Sequence, residues 1–187
     1  MASGNLHFRI ATPEYAEPIQ QLVQCAFRAE DSRQGWTADM ELSARFRVEV
    51  KQVLATISNP DSAILMATDN NGTLVGSIEI SKRGIDRARF SMLAVDQSHQ
   101  RQGLGRQVLG HAEEYCQRVW GARIGELNAL STRQELILWY VRRGYRKTGE
   151  LRPFPREEFN GLELPDDMCF VELEKDLSAA ADSEDAF

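Results

Sequence analysis

The sequence predicts an α/β fold, and three observations carry that prediction. Short alternating or continuous apolar stretches, the pattern of half-buried and buried strands, are interleaved with longer stretches whose apolar residues fall at helical spacing. The apolar segment 90–95 passes through a glycine-bearing turn, Gln100-Arg101-Gln102-Gly103-Leu104-Gly105, into a helix-period segment with Leu104, Val108, Ala112, Tyr115 and Val119 on one stripe. The length of 187 residues suits one core, so residues 1–177 are expected to form a single domain.

From the N-terminus, Leu6-His7-Phe8-Arg9-Ile10 alternates as an edge strand with Leu6, Phe8 and Ile10 inward. Thr12 is placed to cap a helix with Pro13 at its first position and Ile19, Leu22, Val23, Ala26 and Phe27 as its stripe; Pro18 is a candidate kink. A polar connection holding Gly35-Trp36-Thr37 precedes a second helix, expected from about Ala38 to Ser58 and stopped by Asn59-Pro60-Asp61. Residues 63–67 read as a strand, Asp69-Asn70-Asn71-Gly72 as a hairpin turn, and 74–81 as the returning strand, with Ser77 and Glu79 sharing a face. Beyond the polar turn 82–87, the buried strand and the glycine turn, residues 122–130 read as a strand weakened by Gly125. Residues 133–143 read as a helix with Gly144 as its C′ residue, and Tyr145 as the start of a strand. The long loop 153–167 leads to a last strand at 168–173, and the small, acidic stretch 178–187 is expected to be disordered.

A net charge of −6 and a pI near 5.2 argue against a nucleic-acid binder, which needs a basic face for phosphates. Cys25, Cys116 and Cys169 are odd in number, far apart and without metal-ligand spacing, which points to structural thiols and no metal. No apolar run reaches the length of a membrane span and no signal peptide is read at the N-terminus, so a cytoplasmic protein with no membrane partner is expected.

A strand, a glycine turn and a helix start make an anion cradle, because the first N–H groups of a helix lack intrahelical partners and lie at the positive end of its dipole. A dinucleotide fingerprint fails because Val108 stands where its third glycine belongs, and no P-loop run occurs. What remains, Gln/Arg-x-x-Gly-x-Gly/Ala through Gln100, Gly103 and Gly105, resembles the coenzyme-A pyrophosphate loop of the GNAT superfamily, the GCN5-related N-acetyltransferases. Two further stretches are similar to that family: Leu93-Ala94-Val95-Asp96 to its central strand, and residues 136–145 to its late helix with the ending Tyr-x-x-x-Gly-Tyr. The resemblance extends more loosely from Leu6 to about Leu177.

The resemblance implies a GNAT fold, a mixed sheet of about six to seven strands flanked by helices, with splayed central strands. It implies acetyl-CoA as cofactor and transfer of its acetyl group to a primary amine by direct attack, the acceptor being a small molecule. It also admits a homodimer. By the same resemblance, the backbone of Leu93, Ala94 and Val95 pairs with the pantetheine arm, and the Leu93 N–H polarises the thioester. Gln100, Arg101, Gln102, Gly103, Leu104, Gly105 and Arg106 hold the pyrophosphate, and Tyr140 is the general acid. Trp36 and Arg47, with Arg45 and Phe46, border the acceptor. Glu79 and Glu126 are base candidates because both lie on inferred central strands. The chain departs from the family pattern at Arg133, where many members have Asn, and at Leu136, where many have a small residue; Arg133 is expected to reach coenzyme A or the acceptor.

The same residues have structural readings: Tyr140 as a core aromatic, Trp36 as a cap on the core, Arg47 and Glu79 as solvated faces. Two functional alternatives stand beside the small-molecule enzyme. One is a protein or peptide N-acetyltransferase, whose basic substrate the acidic surface would suit; the other is an acyl-CoA-binding sensor without turnover.

Overall fold

The computed structural model describes residues 6–29, 36, 40–99 and 103–178. Its strands are β1 (His7–Ile10), β2 (Ser62–Thr68), β3 (Leu74–Arg83), β4 (Arg87–Val95), β5 (Ile124–Leu130), β6 (Arg146–Pro153) and β7 (Cys169–Asp176). They form one mixed sheet in the order β1-β2-β3-β4-β5-β7-β6, with β4 and β5 its parallel pair. Those two strands are joined by a helical crossover, as parallel neighbours must be. The expected disordered tail lies outside the described residues except for Ser178, and no described helix is long and apolar enough to cross a membrane.

Helices α1 (Ala16–Arg28) and α3 (Val50–Ser58) cover one face of the sheet, packing Ile19, Val23 and Val53 with Ile64, Met66 and Ala94. Helices α4 (Leu104–Trp120) and α5 (Gln134–Val141) cover the other, packing Val108, Leu109 and Ile137 with Leu65, Ile78 and Ile80. The period of two along β3 therefore sends Ile78 and Ile80 under α4, and Ser77 and Glu79 toward α1 and α3.

Two irregularities at the centre of the sheet position the site. β4 and β5 pair only at Arg87, Ala88 and Arg89 against Ile124, Gly125 and Glu126, after which the strands part. Gly125 sits at the apex because a Cβ there would come 2.6 Å from Cε2 of Phe90. The second irregularity is on the other side of β4, where Ser77 faces Ala94 but Glu79 faces Ser91. Ile78 is thus opposed by both Met92 and Leu93, a β-bulge in which Met92 takes φ 52, a left-handed value uncommon for a residue with a side chain.

The expected second helix is two helices, α2 (Met40–Arg45) and α3, separated at Phe46–Glu49. Local caps and tertiary bonds outweigh helical periodicity here. The Gln52 side chain accepts the Glu49 N–H at 2.7 Å, closing a capping box that starts α3. The freed carbonyls of Phe46 and Val48 accept Arg28 Nε at 2.8 Å and Gln20 Nε2 at 2.9 Å from α1. The first helix opens as a 3-10 turn at Pro13–Tyr15, with Thr12 at the cap position but making no side-chain cap bond. Pro18 falls in the first turn of α1, where a missing N–H costs no helical bond.

On α4 the buried stripe is Leu104, Val108, Leu109, Ala112 and Cys116, whereas Val119 is 60 % exposed. The helix rests on the sheet along its i+4 row, so the stripe turns away from the three-residue steps to Tyr115 and Val119. The loop after β6 is largely exposed but anchored at both ends. It carries a 3-10 turn, Arg156–Phe159, and a small core of Phe154, Met168 and Leu42 flanked by Phe159, Leu162 and Leu164. Arg45 of α2 donates to the Asn160 carbonyl at 3.0 Å, tying that loop to the helix.

Candidate active site

The cradle at the start of α4 has the form its glycines imply. Gly103 is the left-handed N-cap, φ 75, and nothing lies within 4 Å of where its Cβ would be. At Gly105 a Cβ would lie 3.8 Å from both Trp139 and Val95, so the first turn of α4 looks onto a space between the end of β4 and α5. The Leu104 side chain is buried in the core beneath and anchors the turn, leaving its backbone for a ligand. Gln100, Arg101 and Gln102 lie outside the described residues.

Arg143 stacks its guanidinium 3.7 Å from the Trp139 ring centre and donates Nη1 to the Trp139 carbonyl at 2.9 Å, while its Nε is buried without a hydrogen-bond partner among the described residues. Burial, together with Arg106 and Arg142 nearby, lowers its pKa from the usual guanidinium value. Among the described residues none of these three arginines forms an ion pair with an acid. A helix N-terminus with room for phosphate oxygens and three cations beside it suits the phosphates of coenzyme A. Beyond the apex, Leu93 and Val95 point into the α4 core and Ala94 under α1, so the segment from Phe90 to Val95 presents its backbone edge to the gap. An extended arm can add there as a strand would.

Tyr140 is 8 % exposed and lies in the α4 core between Trp139 and Tyr145, with ring centres at 5.2 and 5.8 Å. Burial pushes its pKa up from the ordinary phenol value, and the Arg133 charge partly opposes this. Its proton is therefore held at neutral pH. Arg133 stands at the N-cap of α5 and donates Nε to the Trp36 carbonyl at 2.5 Å; Trp36 in turn meets Trp139 edge-on at 6.5 Å. The structure thus brings Trp36 to the N-terminal end of α5 at Arg133, whose charge is felt at Tyr140 near the other end of the helix.

Glu79 and Arg47 come together elsewhere, in a cavity of about 250 Å³ between α1, α3 and the sheet. Ile19, Val23, Val53, Ile64 and Met92 supply apolar walls, and Thr56 and Ser77 add hydroxyls. Burial raises the Glu79 pKa above the usual carboxylate value, and a hydrogen bond from Thr56 Oγ1 at 3.3 Å opposes the shift only in part. Met92 places this cavity against the bulge.

Glu126 stands apart from that cavity. It lies in the paired section of β5 with its carboxylate 2.5 Å from Nη1 of Arg87, which also reaches Glu174 at 3.3 Å. One rung on, Arg89 donates to Glu172 at 2.9 Å, and Asn128 and Arg152 donate to the same carboxylate at 3.0 Å each. Glu172 is 5 % exposed, and these bonds hold its pKa below the usual value despite the desolvation that would raise it. This network fastens β4, β5, β7 and β6 at the apex of the splay. Sequence reading missed it, because the partners are up to 87 positions apart and no local pattern links them. It also missed Ser77 as a cavity hydroxyl, although the period of two had already put Ser77 beside Glu79. Among the described residues no group of acids, histidines and cysteines could hold a metal ion.

No curated protein matches the chain in sequence. In structure it resembles the ribosomal-protein-S18-alanine N-acetyltransferase from Escherichia coli, at 18 % identity and TM-score 0.68 over 92 % of this chain and 94 % of that one. It also resembles the spermidine/spermine N-acetyltransferase from Vibrio cholerae, at 14 % identity and TM-score 0.66 over 96 % and 97 % of the two chains. A third likeness is to a GNAT family acetyltransferase from Elizabethkingia anophelis with acetyl-CoA bound, at 15 % identity and TM-score 0.65 over 92 % and 98 %. The family model described as the acetyltransferase (GNAT) family matches residues 17–145, from α1 through the phenol of α5 to the tyrosine that ends the Tyr-x-x-x-Gly-Tyr run. The chain belongs to the GNAT family of acetyltransferases, acyl-transferring enzymes that draw on acetyl-CoA.

Proposed function

We propose that the protein transfers the acetyl group of acetyl-CoA to a primary amine of a small molecule, by direct attack of the amine on the thioester. One observation carries this reading. The bulge at Met92–Leu93 lies between a strand gap that leads from the α4 cradle and a cavity whose half-buried carboxylate is Glu79.

Acetyl-CoA supplies an activated acyl group on a good leaving thiol. Glu79 takes a proton from the incoming ammonium, and the raised pKa set by burial makes it a stronger base than a surface carboxylate. The N–H of Leu93 stabilises the oxygen that gains charge as the C–N bond forms. Tyr140 gives its proton to the sulfur as the C–S bond breaks, so the products are the amide and the free thiol. Arg106, Arg142 and Arg143 hold the phosphates, and Arg133 holds the Trp36 carbonyl. A cavity of about 250 Å³ is smaller than the roughly 300–1,000 Å³ of drug-sized sites, which supports a small acceptor over a protein tail.

The test is single-turnover and steady-state kinetics of thiol release with a panel of amines, beside calorimetry with acetyl-CoA. Tyr140→Phe is expected to lose about 10²–10⁴-fold in kcat while acetyl-CoA affinity stays within twofold. Unchanged kcat would remove Tyr140 from the chemistry, and wild-type protein that binds acetyl-CoA but acetylates no amine would be a sensor.

A further inference from the structure

The identity of the acceptor rests on the transferase reading above but draws on separate observations. We propose that the cavity takes a zwitterion, a small α-amino acid with an apolar side chain, its ammonium on Glu79 and its carboxylate on Arg47.

Charge sets the first constraint. Among the residues lining the cavity the titratable ones are Glu79 and Arg47, one anion and one cation. Glu79 has no cationic partner among the described residues, its contact being Thr56 Oγ1. Arg47 has no acidic partner either; its Nη1 donates to the Ala44 and Phe46 carbonyls at 3.0 Å each, which leaves the Nε–Nη2 edge for a carboxylate. A guanidinium edge accepts a carboxylate by two parallel bonds. A polyamine would instead set a second cation against Arg47 with one carboxylate to neutralise it.

An orphaned donor sets the second. Ser77 is 1 % exposed, lines the cavity and has no hydrogen-bond partner for its Oγ among the described residues. A buried hydroxyl left unpaired is costly, so a ligand with a polar group at that depth gains what the empty cavity forgoes. Ser77 and Glu79 share a face of β3, and a ligand nitrogen on Glu79 is also beside Ser77. Apart from Gln52 and Thr56 the remaining walls are apolar, Ile19, Val23, Val53 and Ile64 among them, and they suit a leucine- or methionine-sized side chain.

The experiment uses the full chain with acetyl-CoA and four amines: L-leucine, leucinamide, 3-methylbutylamine and spermidine. Thiol release is expected to favour leucine over leucinamide and 3-methylbutylamine by at least about 30-fold in kcat/KM, with spermidine lowest, because each analogue leaves Arg47 unpaired or repelled. In Arg47→Ala the leucine-to-leucinamide ratio is expected to fall toward one, and Arg47→Lys to restore only part of it. A parallel titration of leucine and leucinamide into the protein with coenzyme A reads recognition without chemistry. Leucine binding that depends on Arg47 but gives no thiol release would leave the zwitterion site standing and sink the transferase reading. Turnover of spermidine or leucinamide at or above that of leucine would overturn the zwitterion and keep the transferase. A leucine preference that survives Arg47→Ala would overturn the role given to Arg47.

Discussion

The carboxyl group of Glu79 sits where its charge is disfavoured, and that single fact has opposite consequences for stability and for rate. Its folded pKa is raised, so the native state holds this proton more tightly than the unfolded chain does. The stabilising contribution is therefore present in acid and lost as pH rises from the ordinary carboxylate value through the raised one. Glu79→Gln removes the ionised group and is expected to raise Tm at neutral pH, with the gain vanishing below the ordinary carboxylate value. The same substitution is expected to lower kcat at least about 100-fold and to abolish the acidic limb of the kcat/KM profile, since a base must be deprotonated to act. A Tm that falls at pH 7 would mean that the Glu79 charge is not disfavoured in the folded protein. The Cys116 thiol makes a simpler residue-scale case. Burial, reinforced by Glu113, pushes its pKa up to about 12, so a thiol reagent at neutral pH is expected to label the exposed Cys25 and spare Cys116 until the protein unfolds.

At the scale of elements, the splay of β4 from β5 needs a firm apex, and the ion network supplies one. Arg89 and Glu172 are both largely buried, and Glu172 also receives Asn128 and Arg152. Glu172→Gln leaves the Arg89 charge without its counter-ion and is expected to cost about 2–3 kcal/mol in denaturant unfolding. A loss under about 0.5 kcal/mol would place the apex in the packing of Gly125 on Phe90 instead. These features also mark the limit of what the sequence discloses. The strands around Asp69–Gly72, the anion cradle and the alternation of Ser77 and Glu79 are local patterns, so their spacing reveals them. The break between α2 and α3 is set by Arg28 and Gln20 reaching from α1, and the α4 stripe by which row meets the sheet; neither has a local signal. The bulge at Met92 is likewise invisible in an apolar run, yet it decides that Leu93 faces α4 and Met92 the cavity. Among the proposed site residues, the meeting of Glu79 of β3 and Arg47 of the 46–49 connection in one cavity needed the fold, because they lie 32 positions apart. The ion pair of Glu126 with Arg87 needed it for the same reason.

Seen whole, the molecule is a sheet with two differently charged working sides around β4. The α4 side offers a helix N-terminus and Arg106, Arg142 and Arg143, whereas the α1 and α3 side offers a half-apolar cavity with one charge of each sign. On a chain of net charge −6, three arginines with no acid partner among the described residues form a local reversal of sign, for which a polyanionic co-substrate is the proposed partner. Two global consequences follow from that division. Binding of acetyl-CoA to the native state alone is expected to stabilise it by about 2.7 kcal/mol at a hundredfold excess over Kd, or roughly 5–10 °C in Tm for a domain of this size. The part of that shift owed to charge must weaken as salt screens it, while the part owed to the arm lying along β4 must not. Raising ionic strength from about 0.05 to 0.5 M is therefore expected to shrink the shift given by acetyl-CoA more than any shift given by a pantetheine thioester lacking the nucleotide. Arg143→Ala, which removes the cation stacked on Trp139, is expected to reduce both the shift and its salt dependence. A shift that is equal in Arg143→Ala and indifferent to salt would place the phosphates away from this cluster, and the reversal of charge beside α4 would need another partner.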